Sequence, residues 1–351
     1  MLILLWPSAR ALAFSISSTE VNGIPFIISN STYGLYYGLI GKASNTFGRQ
    51  ESLTLSAYLV ANGGKGANFM FSLPDDNYRY GKEYGFAFDL AGAMGLNIDE
   101  RYYGLGSELP GTKYSTFNND HSKVTLQFSR TLKKELIIEG DVFFANNRFS
   151  NIVEGANLVT PEIEENCRDY SGVSAKLTYD GRDQSLDPHG GIYVIANADF
   201  GVRNAEYSKV CIDARTYHTP FHSDQVLAFR GMLTQMSGRI IPIYEYATLG
   251  GNNTLRGYPI NRWRDTNAAL LNAEYRVPTP LPMAFFSGLD TVFFLEGGKV
   301  DDEMGAIATG KWAVDSGFGF HLNLAGSVII RADFGMGAEG LNAYFFYNQA
   351  F

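Results

Sequence analysis

Side chains that could support catalysis or bind a metal are few and scattered along this 351-residue chain. Among the five histidines, only His218 and His222 lie close in sequence, and they would share a face only in a helix, which Thr219 and Pro220 disfavour. The segment 335–340 (GMGAEG) has the glycine spacing of a dinucleotide-binding turn, but no helical pattern follows it. The sequence has no Gly-x-Ser-x-Gly motif. We therefore expect no catalytic residue, no metal site and no cofactor, and we do not expect an enzyme.

Charged side chains recur instead at alternate positions of otherwise apolar segments. In 326–336, Arg331 and Asp333 share one face with Ile329 and Gly335, while Val328, Ile330, Ala332 and Phe334 share the other. The segments 271–277 and 173–180 divide in the same way. A period of two residues is typical of β-strands, because successive side chains point to opposite faces of a sheet. In a soluble sandwich the apolar face would form the core, whereas in a membrane barrel it would face lipid.

The composition fits a β-rich protein with many turns. Only 18% of the residues are charged, and the chain has 38 glycines but 12 prolines. No stretch approaches the ~18 uninterrupted apolar residues that a transmembrane helix needs. The net charge of −8, without a basic cluster, argues against nucleic acid as a partner.

We interpret the alternating segments as an all-β, transmembrane antiparallel β-barrel of about 16 strands rather than a soluble sandwich. Many segments run to about ten residues, the length that crosses a bilayer at a steep tilt, and soluble strands are usually shorter. Aromatic side chains are frequent at the segment ends, as in the girdles at membrane interfaces. The predicted strands are 19–29, 33–43, 50–60, 67–73, 84–95, 121–131, 136–146, 170–181, 191–202, 207–218, 225–234, 267–277, 289–297, 314–324, 326–336 and 343–351.

The connections are expected to alternate in length, with short turns on the periplasmic side and longer loops outside. The first strand is the weakest, because Pro25 interrupts it and proline is poorly tolerated inside a sheet. Long outer loops are predicted at 96–120, 147–169, 235–266 and 298–313, and short inner turns at 132–134 and 187–191.

Residues 1–13 resemble a signal peptide, with a short apolar run and an Ala-Leu-Ala ending, so the barrel domain is expected to be 14–351. A basic start is missing and Pro7 interrupts the apolar run, which leaves a disordered or inward-folded tail as the alternative. Cys167 and Cys211 lack the spacing of a zinc or redox motif and are interpreted as two isolated thiols.

Four segments resemble the BamA/TamA family of outer-membrane assembly and translocation barrels, also called bacterial surface antigens. They occur in the family's order and lie in the C-terminal half of the chain. The resemblance implies an integral protein of the bacterial (or organellar) outer membrane, in contact with its lipid. The four segments are YDGRDQSLDPHGG at 179–191, LGGNNTLRGYP at 249–259, VFFLEGGKV at 292–300 and GFGFHLNLAGSVIIRADFG at 317–335.

In this family the arginine of the second segment folds into the lumen with its loop and pairs with an acid on the barrel wall. Carried over to this sequence, the arginine is Arg256 and the wall acid is Glu296, a glutamate where aspartate is usual. Asp333 is a second possible partner. An arginine can meet a carboxylate through two hydrogen bonds, and a constricted lumen screens such a pair less than a surface does. The alternative is an exposed loop with Arg256 in water. The other residues of the loop motif are Gly250, Gly251, Leu255, Gly257 and Tyr258.

The end of the sequence also resembles the family. Tyr347 and Phe351 would share a face of the last strand and match the terminal aromatic signal by which such barrels are recognised for insertion, although Gln349 on that face departs from the pattern. Family members that insert or export proteins carry periplasmic POTRA modules ahead of the barrel, and here the first predicted strand closely follows the signal. We therefore expect a barrel that helps client outer-membrane or secreted proteins insert or cross, with a separate periplasmic or lipoprotein partner. The rival is a stand-alone outer-membrane channel or structural barrel that has lost assembly activity.

Overall fold

A closed antiparallel sheet of sixteen long strands forms the barrel. The computed structural model describes residues 14–16, 19–106, 110–153, 155, 169–222, 224–279, 288–324 and 328–351. The predicted signal peptide at 1–13 and Cys167 lie outside the described residues. Within the described part of the chain, no helix is long and apolar enough to cross a membrane.

All sixteen predicted strands are confirmed, with differences at their ends. A short strand precedes them and a small hairpin, β13 with β14, lies in the longest loop. Within the described residues, two helices of one turn each, α1 (Asp76–Arg79) and α2 (Met304–Ile307), lie in connections. The strands are β1 (Phe14–Ile16), β2 (Thr19–Asn30), β3 (Gly34–Ser44), β4 (Ser52–Val60), β5 (Lys65–Leu73), β6 (Ala87–Tyr102), β7 (Ser115–Lys133), β8 (Leu136–Val153), β9 (Asp169–Asp180), β10 (Gly191–Arg203), β11 (Glu206–His218), β12 (Val226–Ile240), β13 (Ala247–Leu249), β14 (Trp263–Asp265), β15 (Asn267–Pro278), β16 (Gly288–Asp301), β17 (Ala313–Leu324), β18 (Val328–Gly337) and β19 (Gly340–Tyr347).

The alternation of each strand separates an outer apolar face from an inner polar one. On β16, Phe293 and Leu295 are exposed on the outside of the barrel, whereas Phe294 and Glu296 between and after them are buried inside. A ring of exposed Leu, Ile, Val and Phe side chains would be unfavourable in water, because each costs free energy in proportion to its apolar area. In a bilayer the same ring contacts lipid, as a barrel that spans a membrane requires.

Parts of two predicted outer loops are strand. β6 extends to Tyr102, β7 begins at Ser115 and β8 continues to Val153, so that the hairpins rise beyond the predicted boundaries at 96–120 and 147–169. The prediction stopped too early because residues 118–123 are polar on both faces and show no apolar alternation. Ladder hydrogen bonds still continue there, with bulges that shift the register.

The expected alternation of connection lengths is wrong in detail. We call the end of the barrel with the 241–266 loop the outer end, and the end with the 134–135 turn the inner end. The outer end includes the two-residue connections 204–205 and 338–339, while the inner end includes the thirteen-residue segment 74–86. That segment is long because it folds over the barrel mouth, where Arg79 forms a buried ion pair with Asp89 at 2.7 Å.

The last predicted strand, 343–351, is wrong at its end. β19 stops at Tyr347, and Asn348 adopts a left-handed conformation (φ 59°) that turns the chain inward. Phe351 is buried inside the barrel against Tyr217 and Ala228, so it does not share the lipid face with Tyr347. Its role as an insertion signal, which would concern the unfolded chain, stays a prediction.

The barrel closes through a narrow seam between β19 and β2. Among the described residues the two strands pair at only two positions, Tyr344 with Asn30 and Phe345 with Ser29, whereas β18 and β19 pair at eight. Below them, the hydroxyl of Tyr347 accepts a hydrogen bond from the backbone N–H of Ile27 at 3.1 Å. Residues 27, 29 and 31 all direct their backbone groups to the seam, so by alternation Pro25 does too. The predicted weak strand thus lacks a donor on the edge that is left unpaired.

Candidate functional site

A buried cluster of charged side chains lies on the inner wall formed by β15 to β18. The members that lie on the strands project inward because each alternates with a lipid-facing neighbour. Every member is nearly or completely inaccessible to solvent, so each charge depends on a neighbour for compensation. Among the described residues, the cluster comprises three arginines, Arg256, Arg276 and Arg331; four acids, Glu274, Glu296, Asp315 and Asp333; and His321.

The 241–266 loop brings Arg256 to this wall. Strands β13 and β14 pair as a short hairpin that descends into the barrel and presents residues 250–262 at its tip. Gly250 and Gly251 both have φ of +105°, a conformation that other residues rarely adopt, and they start the turn. Leu255 and Tyr258 are buried against the hairpin and β15, in a cluster that includes Trp263. The loop is therefore folded inward and packed.

Arg256 makes close contacts with three acids. Its backbone N–H donates to Glu296 Oε2 at 2.6 Å, while its Nε and Nη2 lie 2.9 and 2.8 Å from Glu296 Oε1. Its Nη1 lies 2.7 Å from Glu274 Oε1 and 3.3 Å from Asp333 Oδ2. The guanidinium also stacks 3.6 Å from the centre of the Phe294 ring. Glu296 thus binds both the side chain and the backbone of Arg256. This differs from the predicted pair, in which the arginine side chain alone would meet the carboxylate through two hydrogen bonds.

Glycines on the wall let the loop backbone lie directly against the strands. A Cβ on Gly257 would lie 2.4 Å from the Cβ of Asp315, and a Cβ on Gly335 would lie 2.5 Å from the backbone of Arg256. No ordinary side chain fits in either space. Close approach of the loop therefore explains Gly335 and also Gly337 of β18, because a Cβ on Gly337 would lie 2.6 Å from the Tyr258 ring.

The sequence analysis missed several side chains that hold the loop tip. Arg331 Nη2 donates to Asn252 O at 2.9 Å, and Arg230 Nη1 donates to Asn253 O at 2.7 Å. Asn272 Nδ2 donates to Glu296 Oε1 at 2.8 Å, which fixes the carboxylate that receives Arg256. The period-two pattern put these side chains on the inner face, but no local signal could show which loop atoms they would meet.

The loop has further anchors on β6, β9 and β11. Glu245 lies 3.1 Å from Lys209 Nζ and accepts a hydrogen bond from the Tyr170 hydroxyl at 2.9 Å. Tyr244 donates to Glu100 at 3.0 Å. Burial, and then the nearby Glu100 carboxylate, raises the pKa of the Tyr244 phenol well above its usual value. The loop therefore spans the lumen and contacts both sides of it.

Residues 257–262 also bridge the two sides of the seam. Asn342 and Tyr344 of β19 donate to the backbone carbonyls of Gly257 and Tyr258, at 2.9 and 2.5 Å. The Ile260 N–H donates to Thr32 in the turn that follows β2, at 3.1 Å. Opening of the seam would break contacts with the loop.

The sequence of the chain matches the Omp85 superfamily domain over residues 45–342. The chain belongs to the Omp85 superfamily. The match covers most of the strands described above. An Omp85 barrel is an integral outer-membrane protein, in agreement with the lipid-facing ring of apolar side chains.

Solved structures share this Omp85 fold at low sequence identity. BamA from Haemophilus ducreyi lacking POTRA domains 1–3 is 12% identical, with a TM-score of 0.64, and the match covers 97% of this chain and 70% of that one. CdiB from Escherichia coli is 14% identical, with a TM-score of 0.68 over 93% of this chain and 62% of that one. CdiB from Acinetobacter baumannii is 16% identical, with a TM-score of 0.60 over 94% of this chain and 59% of that one. The chain thus spans about three fifths of the length of the CdiB chains. No curated protein matches the sequence significantly.

Replacing Gly257 or Gly335 with alanine should loosen the loop of this Omp85 barrel. The added methyl group would overlap backbone atoms, at a cost of about 1–3 kcal/mol, and the loop can relieve the overlap by moving away. We expect faster protease cleavage within 250–262 in the refolded barrel. Gly231→Ala is the matched control, because its Cβ would face lipid with the nearest atom 3.6 Å away. Equal cleavage in all three variants would contradict close packing of the loop.

Proposed function

We propose that this Omp85 barrel helps client proteins insert into or cross the outer membrane by opening the seam between β19 and β2. The observation that carries the proposal is the short pairing of the seam. β19 pairs with β2 at two register positions, and below them the edge of β2 has no strand partner until β1 pairs with residues 19–21. An exposed strand edge can accept a further strand through backbone hydrogen bonds. A client β-strand would therefore add to β2 once the two register pairs are broken.

The anchored loop fits this role as a lock. Its tip contacts β19 and the turn after β2. It is held to the wall by Arg256, whose three carboxylate partners lie on β15, β16 and β18. Release of Arg256 would remove the contacts that brace β19 and the turn after β2. The proposal assigns the barrel no enzymatic step. It includes a separate periplasmic or lipoprotein partner that delivers clients, as the sequence resemblance implies.

A disulfide across the seam should abolish client insertion. Ser29→Cys with Phe345→Cys places two thiols at directly paired positions, where Cα atoms lie about 4.5–5.5 Å apart and a disulfide can form. Cys167 and Cys211 are replaced by alanine beforehand. The measurement is the folding rate of an unfolded outer-membrane protein added to liposomes that contain the barrel. We expect the oxidised variant to lose the acceleration and reductant to restore it.

The matched control is Ser29→Cys with Leu35→Cys. These positions are register partners in the fully paired β2–β3 hairpin, so a disulfide there leaves the seam free. Insertion that continues at full rate with the β2–β19 disulfide formed would refute opening of the seam.

A further inference from the structure

The chain after β19 occupies a pocket at the inner end of the barrel. The side-chain Nε2 of Gln349 donates a hydrogen bond to Asp187 Oδ1 at 2.9 Å. The Oε1 of the same amide accepts a hydrogen bond from His321 Nδ1 at 2.8 Å. Two residues later, Phe351 is buried in an apolar recess, and its backbone carbonyl accepts from Arg276 Nη2 at 3.2 Å. The recess is formed by Tyr217, Val226 and Ala228, together with Ala350 of the tail itself.

The pocket side chains are held in place by groups other than the tail. His321 Nε2 contacts Asp333 Oδ1 at 2.9 Å, so its Nδ1 is already aimed at the position of Gln349. Arg276 is fixed by two hydrogen bonds from Nε and Nη2 to Glu274 Oε2, at 2.9 and 2.8 Å. A pocket whose donors and acceptors are fixed in advance loses little entropy when it binds a chain.

The contacts favour a particular type of residue at each of three successive positions, 349 to 351. Asp187 and His321 together satisfy both ends of a side-chain amide, which selects glutamine at the first position. Ala350 is buried, which leaves room only for a small side chain at the second position. The recess takes an aromatic ring at the third, within 5.9 Å of the Arg276 guanidinium.

We propose that this pocket is a peptide-binding site that recognises glutamine, a small residue and an aromatic residue in succession, and that residues 349–351 occupy it in cis. The tail then acts as a built-in competitor at the inner end. A peptide in trans has to exceed the effective concentration of the tethered tail, which is in the millimolar range for a short linker. The site is separate from the seam, so it does not depend on the proposed insertion activity.

The test measures how fast a cysteine in the tail reacts with a maleimide in the refolded barrel, with Cys167 and Cys211 replaced by alanine. Ala350→Cys is buried and should react about tenfold more slowly than Gln184→Cys, an exposed position in a turn at the same end. Adding the pentapeptide YNQAF at about 10 mM should accelerate labelling of Ala350→Cys severalfold. The peptide YNQAA should have no such effect, and neither peptide should change Gln184→Cys.

A second variant keeps the proposal testable if Ala350→Cys does not fold. Gln349→Ala with Phe351→Ala empties the pocket while the chain keeps its length, and it should bind fluorescent YNQAF more tightly than the unaltered barrel does. Labelling of Ala350→Cys as fast as Gln184→Cys would show that the tail is not docked. Equal effects of YNQAF and YNQAA on the labelling of Ala350→Cys would overturn peptide recognition. So would the absence of any effect of YNQAF on that labelling together with no tighter binding of YNQAF to the variant with Gln349→Ala and Phe351→Ala.

Discussion

Replacing Arg256 with alanine should free the tip of the loop and make residues 250–262 susceptible to protease. The change removes the cation that Glu274, Glu296 and Asp333 share, while their carboxylates stay buried. Removing one partner of a buried charge network costs about 3–5 kcal/mol of folding free energy. The barrel can avoid most of this cost if the loop tip leaves and water enters. Cleavage should be confined to the tip, because Glu245 and Tyr244 still hold the start of the loop to β11 and β6.

The three acids should each have a smaller effect than Arg256. Glu296→Gln removes the charge that receives both the side chain and the backbone of Arg256, but it leaves Glu274 and Asp333 in contact with the guanidinium. Because the residues act as one network, Arg256→Ala combined with Glu296→Gln should cleave about as fast as Arg256→Ala alone. Fully additive effects on the cleavage rate would contradict the lock.

The matched control for Arg256→Ala is Arg239→Ala. Arg239 also pairs with a glutamate, Glu206, at 2.6 Å, but both side chains are more than half exposed. Exposed pairs contribute about 0–1 kcal/mol, so the same substitution should leave cleavage of the loop unchanged. A similar sensitivity in both variants would mean that loss of charge in general, rather than loss of this contact, destabilises the barrel.

The period-two pattern sufficed to predict the strands because a transmembrane barrel imposes one rule on every segment. Each strand must be apolar on one face to contact lipid, so the pattern persists through all sixteen. It failed where lipid no longer imposes the rule. Residues 118–123 of β7 are polar on both faces, and pairing with β6 and β8, together with the loop packed beside Tyr102 and Phe117, keeps them in strand form.

The candidate site, like the fold, was predicted from the sequence only in part. Arg256 and Glu296 were named from the resemblance of their segments to a family, and the structure brings them together. Glu274 and Arg331 were recognised as inner-face charges, but their contacts with the loop depend on the register of β15 and β18, which the sequence does not specify. The inward turn at Asn348 depends on one residue in a left-handed conformation, and an alternating pattern cannot reveal it.

The intact barrel should conduct ions weakly, and removal of the loop tip should increase the conductance severalfold. A cylinder of about sixteen strands is wide enough for an aqueous channel. Here the lumen is crossed by the 241–266 loop, which contacts β6 through Tyr244 and β16, on the far side of the barrel, through Arg256. Ions therefore have to pass around a packed loop with buried charges on both sides.

The design that tests this replaces residues 250–262 with Asn-Gly. Because β13 ends at Leu249 and β14 begins at Trp263, a two-residue turn can close the hairpin without the tip. Replacement of the largely exposed segment 304–310 with Asn-Gly is the control, since that connection lies outside the network around Arg256. Single-channel recordings in planar bilayers should show a severalfold larger conductance for the first variant only.

Adding Gln349→Ala and Phe351→Ala should increase the conductance further, because the tail lies at the inner end of the same path. A large and steady conductance in the unaltered barrel, unchanged by loss of the tip, would place the path elsewhere. It would also favour a stand-alone channel over an assembly barrel, because a barrel that already conducts has no need of a lock.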